Sequence, residues 1–412
     1  MTAIAGASPV QARTYKTIYS FPMATGTNFY GPQTGLFIDQ KSGAIYGTAS
    51  DGGSGAGGVV FSLTPPKAPS ILWTITKLYD FGNASDDGKA PAGRLVGLAG
   101  DTLIGTTIDG PGLVYRLSPP VAPNTMWTET LLHVNGCCGD PVSPYDGVLY
   151  DVKGLAGTRG AYYGVTNQGG TSSNCYGGCG AVYMLSRVSK AWKLTIIHSF
   201  AGSKQGWTPT YTVEMDNKGV LYGEAGNGGP DGMGLIYSLT PPVPPKTGWT
   251  YAILHNFTLS NGEGHPISPL LFYKGELYGS SSIGYVGGPG GTLFKLTPPV
   301  APKKAWTKTN LYTFTGSNGD GPNGKLLVDK SGALWGTTFS GGAKNCGTVY
   351  KMSPPAGSKK TWTYTLIHSF NDKPDGCNPT NYGLATDASG KIYGATNSGG
   401  AKGNGSIFMI VP

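Results

Sequence analysis

Residues 320–355 read DGPNGKLLVDKSGALWGTTFSGGAKNCGTVYKMSPP, and residues 362–370 read WTYTLIHSF. These stretches contain four short runs rich in Val, Leu, Thr and aromatic residues, separated by Gly, Pro, Asn and Asp: 322–329, 333–338, 347–352 and 362–370. Such composition and punctuation are typical of β-strands. No window shows the 3.6-residue period of an amphipathic helix. This part of the chain therefore predicts four antiparallel strands.

The same unit recurs along the whole chain, and a residue pair ending in glycine marks it best. The pair is aromatic–Gly in six copies and Ile–Gly in one: Tyr46-Gly47, Ile104-Gly105, Tyr163-Gly164, Tyr222-Gly223, Tyr278-Gly279, Trp335-Gly336 and Tyr393-Gly394. Successive glycines are 58, 59, 59, 56, 57 and 58 residues apart, so seven units fill the chain. Repeated four-stranded units predict an all-β fold, a seven-bladed β-propeller with four antiparallel strands per blade.

The two ends of the chain indicate how the ring closes. The last unit stops after its third strand, residues 406–411, and residues 14–21 (TYKTIYSF) match the fourth strand of the other units. We therefore expect one domain, residues 13–412, whose N-terminal strand completes the last blade. Residues 1–12 (MTAIAGASPVQA) resemble a signal-peptide remnant or a disordered N-terminus. That interpretation predicts a secreted or periplasmic location.

The repeat resembles the GloVer tandem-repeat family of secreted bacterial proteins. The closest copies of its motif are 320–322 (DGP) continuing through 335–338 (WGTT), and 291–299 (GTLFKLTPP). The resemblance covers nearly all of the chain and implies an extracellular propeller. It implies no particular chemistry, because structural repeats define the family. The third repeat departs most from the pattern, with an insertion around Cys137 and Cys138.

Composition and charge narrow the choice of partners. The formal net charge is +8, but no arginine-rich run or aromatic RNA-binding motif accompanies it, so we expect no nucleic acid partner. No run approaches the ~20 apolar residues of a membrane span. The sequence predicts no cofactor. It also predicts no metal site, because four histidines recur at one phase of the repeat and are spread around the rim instead of converging: His133, His198, His255 and His368. Recurrence indicates a packing role, and we expect a monomer.

All six cysteines fall on the top face, which we define as the second-to-third-strand loops together with the crossings between blades. Cys346 and Cys377 lie in a loop and the crossing beside it, which predicts a disulfide. Cys137, Cys138, Cys175 and Cys179 allow three connectivities. Two crosslinks between the loops are favoured over the pairs Cys175–Cys179 and Cys137–Cys138. A four-cysteine zinc site is a further alternative, which an even cysteine count in an exported protein disfavours.

Residues that break the repeat are the candidates for a functional site. Glu224, His265, Asp231 and Glu263 are the candidate catalytic residues, because hydrolysis needs paired carboxylates and β-elimination needs a base. The candidate substrate-binding residues are aromatic, acidic or basic: Trp207, Tyr211, Tyr145, Asp146, Tyr285, Tyr382, Arg94 and Lys325. Aromatic rings can stack on sugars, and Arg94 or Lys325 could neutralise a uronate carboxylate.

These candidates favour an extracellular propeller that binds or cleaves a polysaccharide or oligosaccharide on its top face around blades three to five. The alternative is a non-catalytic, multivalent scaffold that binds protein or a cell-envelope polymer. A single site predicts one asymmetric cluster, whereas a multivalent scaffold predicts one pocket repeated between blades. The irregular residues are concentrated rather than periodic, which favours a single site.

Overall fold

The computed structural model describes residues 14–23, 25–32, 35–84, 86–109, 112–134, 144, 146–261, 263–283, 290–302, 304–357 and 361–412. These residues form an all-β propeller of seven antiparallel blades with four strand positions each, as the repeat predicts. No helix among them is long and apolar enough to cross a membrane.

The strands are given blade by blade from the channel outwards. The first three blades contain Phe37–Ile38, Ile45–Ala49, Val59–Thr64 and Thr74–Asp80; Lys89–Gly97, Leu103–Asp109, Leu113–Ser118 and Thr128–Val134; and Leu149–Asp151, Ala161–Thr166, Ala181–Val188 and Ala191–Ser199. Blade four contains Glu214–Met215, Leu221–Ala225, Leu235–Thr240 and Thr250–Asn256.

In blades five and seven the innermost strand is interrupted and consists of two short pieces. Blade five contains Glu263–Pro266 with Leu271–Tyr273, then Glu276–Ile283, Gly291–Thr297 and Thr307–Phe314; blade six contains Asp320–Val328, Leu334–Ser340, Thr348–Ser353 and Thr363–Ser369. Blade seven contains Cys377–Pro379 with Ala385–Thr386, then Ile392–Ser398, Ser406–Val411 and Thr14–Ser20. A small extra ribbon joins Phe29–Tyr30 to Asp51–Gly52, and the short 3-10 turns are Ala99–Asp101, Ser203–Gln205 and Leu259–Asn261.

The N-terminal strand closes the ring as predicted. Thr14–Ser20 pairs antiparallel with Ser406–Val411, from Thr14 opposite Val411 to Ser20 opposite Ser406. The following residue, Phe21, is fully buried. The last blade is therefore built from both ends of the described chain.

The core lies between blades and uses the residues that recur in the repeat. In the third strand, Tyr237 packs under the second-strand Gly223, where an added Cβ would lie 2.3 Å from the tyrosine hydroxyl. The strand-start tryptophans make edge contacts to the preceding blade: Trp249 meets Tyr163 and Trp306 meets Tyr222. These contacts confirm the interpretation of the recurrent tryptophans as packing between blades.

The recurrent histidines also contact the neighbouring blade. His198 stacks on Tyr251 with ring centroids 4.1 Å apart, and His368 stacks on Tyr15 at 3.7 Å. Burial lowers the pKa of His198 to about 4, so this ring is neutral at physiological pH. Among the described residues no group of three or more His, Cys, Asp or Glu side chains is arranged to hold a metal ion.

The disulfide predicted between Cys346 and Cys377 is present and joins the loop of blade six to the innermost strand of blade seven. The crosslinks favoured for the other loop are wrong, because Cys175 bonds to Cys179. These two lie in one tight loop with their Cα atoms 5.1 Å apart, within the span of a disulfide. Cys137 and Cys138 lie outside the described residues.

The two bonds are expected to differ in their effect on stability. They close loops of sequence separation 31 and 4, for which chain entropy gives about 4 and about 2 kcal/mol. Replacing Cys346 and Cys377 together by serine should therefore destabilise the fold more than replacing Cys175 and Cys179 together. Urea unfolding of the two double variants measures the difference, and equal losses would contradict the loop-length account.

Candidate functional site in the central channel

One position of each innermost strand forms a ring around the central channel. It lies two residues before the residue paired with the aromatic or isoleucine of the repeat marker, and its occupants are Gly35, Arg94, Gly147, Thr212, Pro269, Lys325 and Gly383. We call these seven residues the channel ring. Two cations, Arg94 and Lys325, therefore occupy equivalent places in blades two and six.

The glycines of the channel ring let neighbouring innermost strands touch. A Cβ added to Gly147 would lie 2.1 Å from the Arg94 carbonyl oxygen, and one added to Gly383 would lie 2.2 Å from that of Lys325. Backbone cannot yield at such distances, so any side chain here would force the blades apart. Arg94 is thus flanked in the channel ring by two residues that have no side chain, Gly35 and Gly147. Lys325 has one such neighbour, Gly383, and Pro269 on its other side.

A cavity of about 310 Å³ lies beside the ring within the channel. Its lining combines apolar side chains with charged and aromatic ones: Arg94, Val96, Asp146, Gly147, Val148, Leu149, Tyr150, Thr212, Val213, Glu214, Pro269, Lys325 and Tyr382. Val96, Tyr150 and Glu214 stand close to the first-to-second-strand turns. The cavity therefore occupies the half of the channel away from the top face.

Arg94 lines this cavity and is partly buried. Its guanidinium makes no hydrogen bond or ion pair with any residue that the structure describes. Burial lowers the pKa of Arg94, and the Asp146 carboxylate opposes that lowering. An arginine is nonetheless effectively always protonated, so the cavity contains a cation whose donors have no acceptor among these residues.

Lys325 is subject to two opposing influences. Burial, and then the neighbouring Arg94, lower its pKa to about 7, while Asp146 raises it. The Lys325 ammonium also forms an ion pair with the Glu214 carboxylate. This contact favours the charged form of Lys325, because an opposite charge at contact distance stabilises the ammonium.

Asp146 holds three blades together. One of its carboxylate oxygens accepts hydrogen bonds from the backbone N–H groups of Gly147 at 2.7 Å and Arg94 at 3.3 Å. The other accepts one from Thr212 at 3.1 Å. Both oxygens therefore face backbone donors, and the charge of Asp146 acts on the Arg94 guanidinium without a hydrogen bond to it.

Glu224 and Tyr211 lie in the wall between blades four and five. The Tyr211 hydroxyl donates to the Ile267 carbonyl at 3.2 Å. Glu224 is 1% exposed, and neither carboxylate oxygen has a hydrogen bond of ordinary geometry. Burial raises the pKa of Glu224 to about 8, although the backbone N–H groups of Thr210 and Tyr211 are near enough to oppose it.

The other candidates around blades four and five have partners outside the cavity. Glu263 accepts from the Lys308 ammonium at 2.7 Å and contacts His255 at 3.2 Å. The His265 ring Nδ1 lies 2.6 Å from the Gly226 carbonyl.

Two further candidates of that group, Asp231 and Trp207, lie nearer the surface. Asp231 accepts from the Leu259 backbone at 3.0 Å, and Trp207 is 39% exposed. Tyr145 and Tyr285 lie outside the described residues. The structure thus brings together Arg94, Asp146, Lys325 and Tyr382, and separates them from Trp207, Asp231, Glu263 and His265.

Glu214 was not among the sequence candidates, although a signal for it exists. It faces the marker residue of its repeat, and the equivalent residues are all apolar: Phe37, Val96, Leu149, Leu271, Leu327 and Ala385. A charge at that phase marks Glu214 as unusual. Recognising it requires the register of the innermost strand, which is short and irregular in several blades.

The repeat has a match among known protein families. The sequence model of the Gloeobacter/Verrucomicrobia repeat matches residues 291–412. This segment is a Gloeobacter/Verrucomicrobia repeat region. It contains the third and fourth strands of blade five, all of blade six and most of blade seven. No curated protein matches the chain in sequence.

Solved structures resemble the fold at low sequence identity. A hypothetical selenium-binding protein from Sulfolobus tokodaii superposes with a TM-score of 0.55 at 11% identity, covering 93% of this chain and 91% of that one. A luciferin-regenerating enzyme gives 0.45 at 12% identity, with 97% and 96% covered. At 11% identity the similarity to the Sulfolobus tokodaii protein extends to the fold alone.

The described blades also leave two cavities at equivalent places on the rim. The one between blades one and two, about 730 Å³, contains Asp87 and Glu129. The one between blades four and five, about 440 Å³, contains Glu263 and Lys308. Glu129 and Lys308 occupy the same phase of the fourth strand. Lys308 is paired with Glu263, so the second cavity contains an ion pair where the first contains the carboxyl groups of Asp87 and Glu129.

Proposed function

We propose that the protein binds a saccharide in the cavity of the central channel, in an extracellular or other oxidising compartment. The observation that carries this proposal is the cavity itself, where polar side chains from several blades converge on apolar walls. Arg94, Glu214, Lys325 and Tyr382 offer donors and acceptors, and Val96 belongs to the apolar wall. Ligand sites commonly combine these features. The two disulfides support the compartment.

The size of the cavity supports a small ligand unit. Its volume of about 310 Å³ lies at the lower end of the ~300–1,000 Å³ typical of small-molecule pockets. One sugar ring, free or at the end of a longer chain, suits that volume. The channel thus replaces the top face as the place where we propose binding.

Binding without cleavage fits the carboxylates better than hydrolysis does. Hydrolysis requires one carboxyl group as acid and a second as base or nucleophile. Asp146 is held by backbone N–H groups, Glu214 is paired with Lys325, and Glu224 lies in the wall between blades. His265, the candidate base for elimination, lies outside the cavity.

The rim cavities favour a single site over a multivalent scaffold. A scaffold that binds one polymer through several blades needs the same pocket at each of them. The two equivalent rim cavities instead contain Glu129 in one and Lys308 in the other. The charged residues of the pocket are therefore not repeated from blade to blade, which supports one asymmetric site in the channel.

Isothermal titration calorimetry with a panel of neutral and acidic oligosaccharides tests the proposal. Val96→Phe places a bulky ring in the cavity, and Val121→Phe makes the same change at an exposed position. We expect at least one saccharide to bind the parent, a loss of at least about tenfold in affinity for Val96→Phe, and no change for Val121→Phe. We also expect no new reducing ends or unsaturated products. Failure of the whole panel, or parent-like binding by Val96→Phe, would overturn the proposal.

A further inference from the structure

The unfilled donors of Arg94 indicate what kind of saccharide the channel takes. The Arg94 side chain lines the cavity and is partly buried, and its guanidinium has no hydrogen-bonding partner among the described residues. Buried polar groups in folded proteins are nearly always paired, and a buried charge most of all. The cavity beside Arg94 leaves room for a ligand, and a group of that ligand can accept hydrogen bonds from the guanidinium.

The residues around Arg94 do not supply that partner. Asp146 compensates the charge from a distance, but backbone N–H groups take its oxygens. Glu214 is paired with Lys325. On either side of Arg94 the channel ring continues as Gly35 and Gly147, which have no side chain to offer. The acceptor missing from this part of the channel is therefore an anionic one.

The geometry of a guanidinium selects among anions. Arginine presents its N–H donors in a planar fork that matches the two oxygens of a carboxylate. Lys325, at the equivalent place in blade six, carries a point charge that the Glu214 carboxylate already satisfies. Tyr382, Glu214 and Lys325 also line the cavity, and their side chains are of types that form hydrogen bonds with sugar hydroxyls.

We infer that the channel ligand is a uronic acid unit whose carboxylate forms a bidentate pair with Arg94. The inference rests on the proposed function and adds its substrate class. The apolar wall that includes Val96 and Val148 contacts the ring of the sugar, and the Lys325–Glu214 pair faces its hydroxyls. A neutral sugar of the same stereochemistry leaves the Arg94 donors unfilled and binds more weakly.

Matched pairs of ligands test the inference directly. The probes are the methyl glycosides of glucuronic and galacturonic acid and those of glucose and galactose, measured by calorimetry or ligand-observed NMR. We expect at least one acid to bind about ten- to a hundredfold more tightly than its neutral counterpart, the range for a charge-assisted bidentate contact. Arg94→Gln should abolish this preference, and Arg94→Lys should restore only part of it. Arg187→Gln, at an exposed arginine, should leave it unchanged.

The outcomes separate this inference from the proposed function. If neutral and acidic glycosides bind equally and Val96→Phe still blocks both, the uronate inference is wrong and saccharide binding stands. If acetate alone binds as tightly as the uronates, the site recognises a small carboxylate and the saccharide proposal fails. Parent-like preference in Arg94→Gln places the carboxylate elsewhere. Thermal unfolding of each variant confirms that the fold is intact, and Arg94→Lys keeps the test valid where glutamine destabilises it.

Discussion

Removal of residues 14–21 is expected to abolish the folded monomer. These residues supply the outer strand of blade seven and contact the blades on both sides. Tyr15 stacks on His368 and donates to the Asp375 carbonyl at 3.0 Å, and Phe21 packs against Phe61. Burial of each large apolar side chain contributes about 1.5–3 kcal/mol. Together with the strand pairing, this approaches the ~5–15 kcal/mol total stability of a typical domain.

The deletion also leaves Ser406–Val411 as an uncovered edge, and unpaired strand edges promote association between chains. We expect size-exclusion chromatography to show aggregates and thermal unfolding to lose its cooperative transition. A permuted chain tests whether the strand or its position matters. In that variant, residues 14–21 follow residue 412 through a loop copied from residues 298–305. It should fold like the parent. A deletion variant that melts within about 2 °C of the parent would show that the strand is dispensable.

The repeat made the architecture predictable because its signals are periodic. In blade six the predicted runs 322–329 and 362–370 differ from the observed Asp320–Val328 and Thr363–Ser369 by only one or two residues at each end. The N-terminal strand was predictable from its match to the other fourth strands. The innermost strands of blades five and seven were less so, because they are broken into short pieces with irregular pairing.

The candidate site was less predictable for a physical reason. Departure from the repeat identified Arg94, Asp146, Lys325 and Tyr382, but it could not distinguish a residue facing the cavity from one buried in a wall. Glu224 shows the difficulty. Its phase is occupied elsewhere by residues such as Thr106 and Ser280, whose hydroxyls donate to carbonyl groups of the next blade. A carboxyl at that phase is unusual because it is buried, and the cavity does not include it.

Replacement of Glu224 by glutamine is expected to change how stability depends on pH. In the fold Glu224 keeps its proton up to a pKa of about 8, against 4.5 for an exposed glutamate. Between these values the folded state binds one more proton than the unfolded state. The free energy of unfolding therefore falls as pH rises, by about 1.4 kcal/mol per pH unit from this group. Between pH 5 and 8 the contribution amounts to about 4 kcal/mol.

Glutamine at position 224 cannot ionise, so the stability of the variant relative to the parent should increase steadily from pH 5 to 8. Urea unfolding at several pH values measures this difference. Glu276→Gln is the matched control. Burial opposes ionisation there too, but hydrogen bonds from Lys295 and Thr297 hold the pKa of Glu276 below its usual value. Loss of Glu276 should lower stability by an amount that does not vary from pH 6 to 8. Parallel curves for the parent and Glu224→Gln would mean that Glu224 is already ionised in the fold, with acceptable partners for its charge. A stability difference that rises with pH would instead confirm that the Glu224 carboxyl group is protonated where it lies buried between blades four and five.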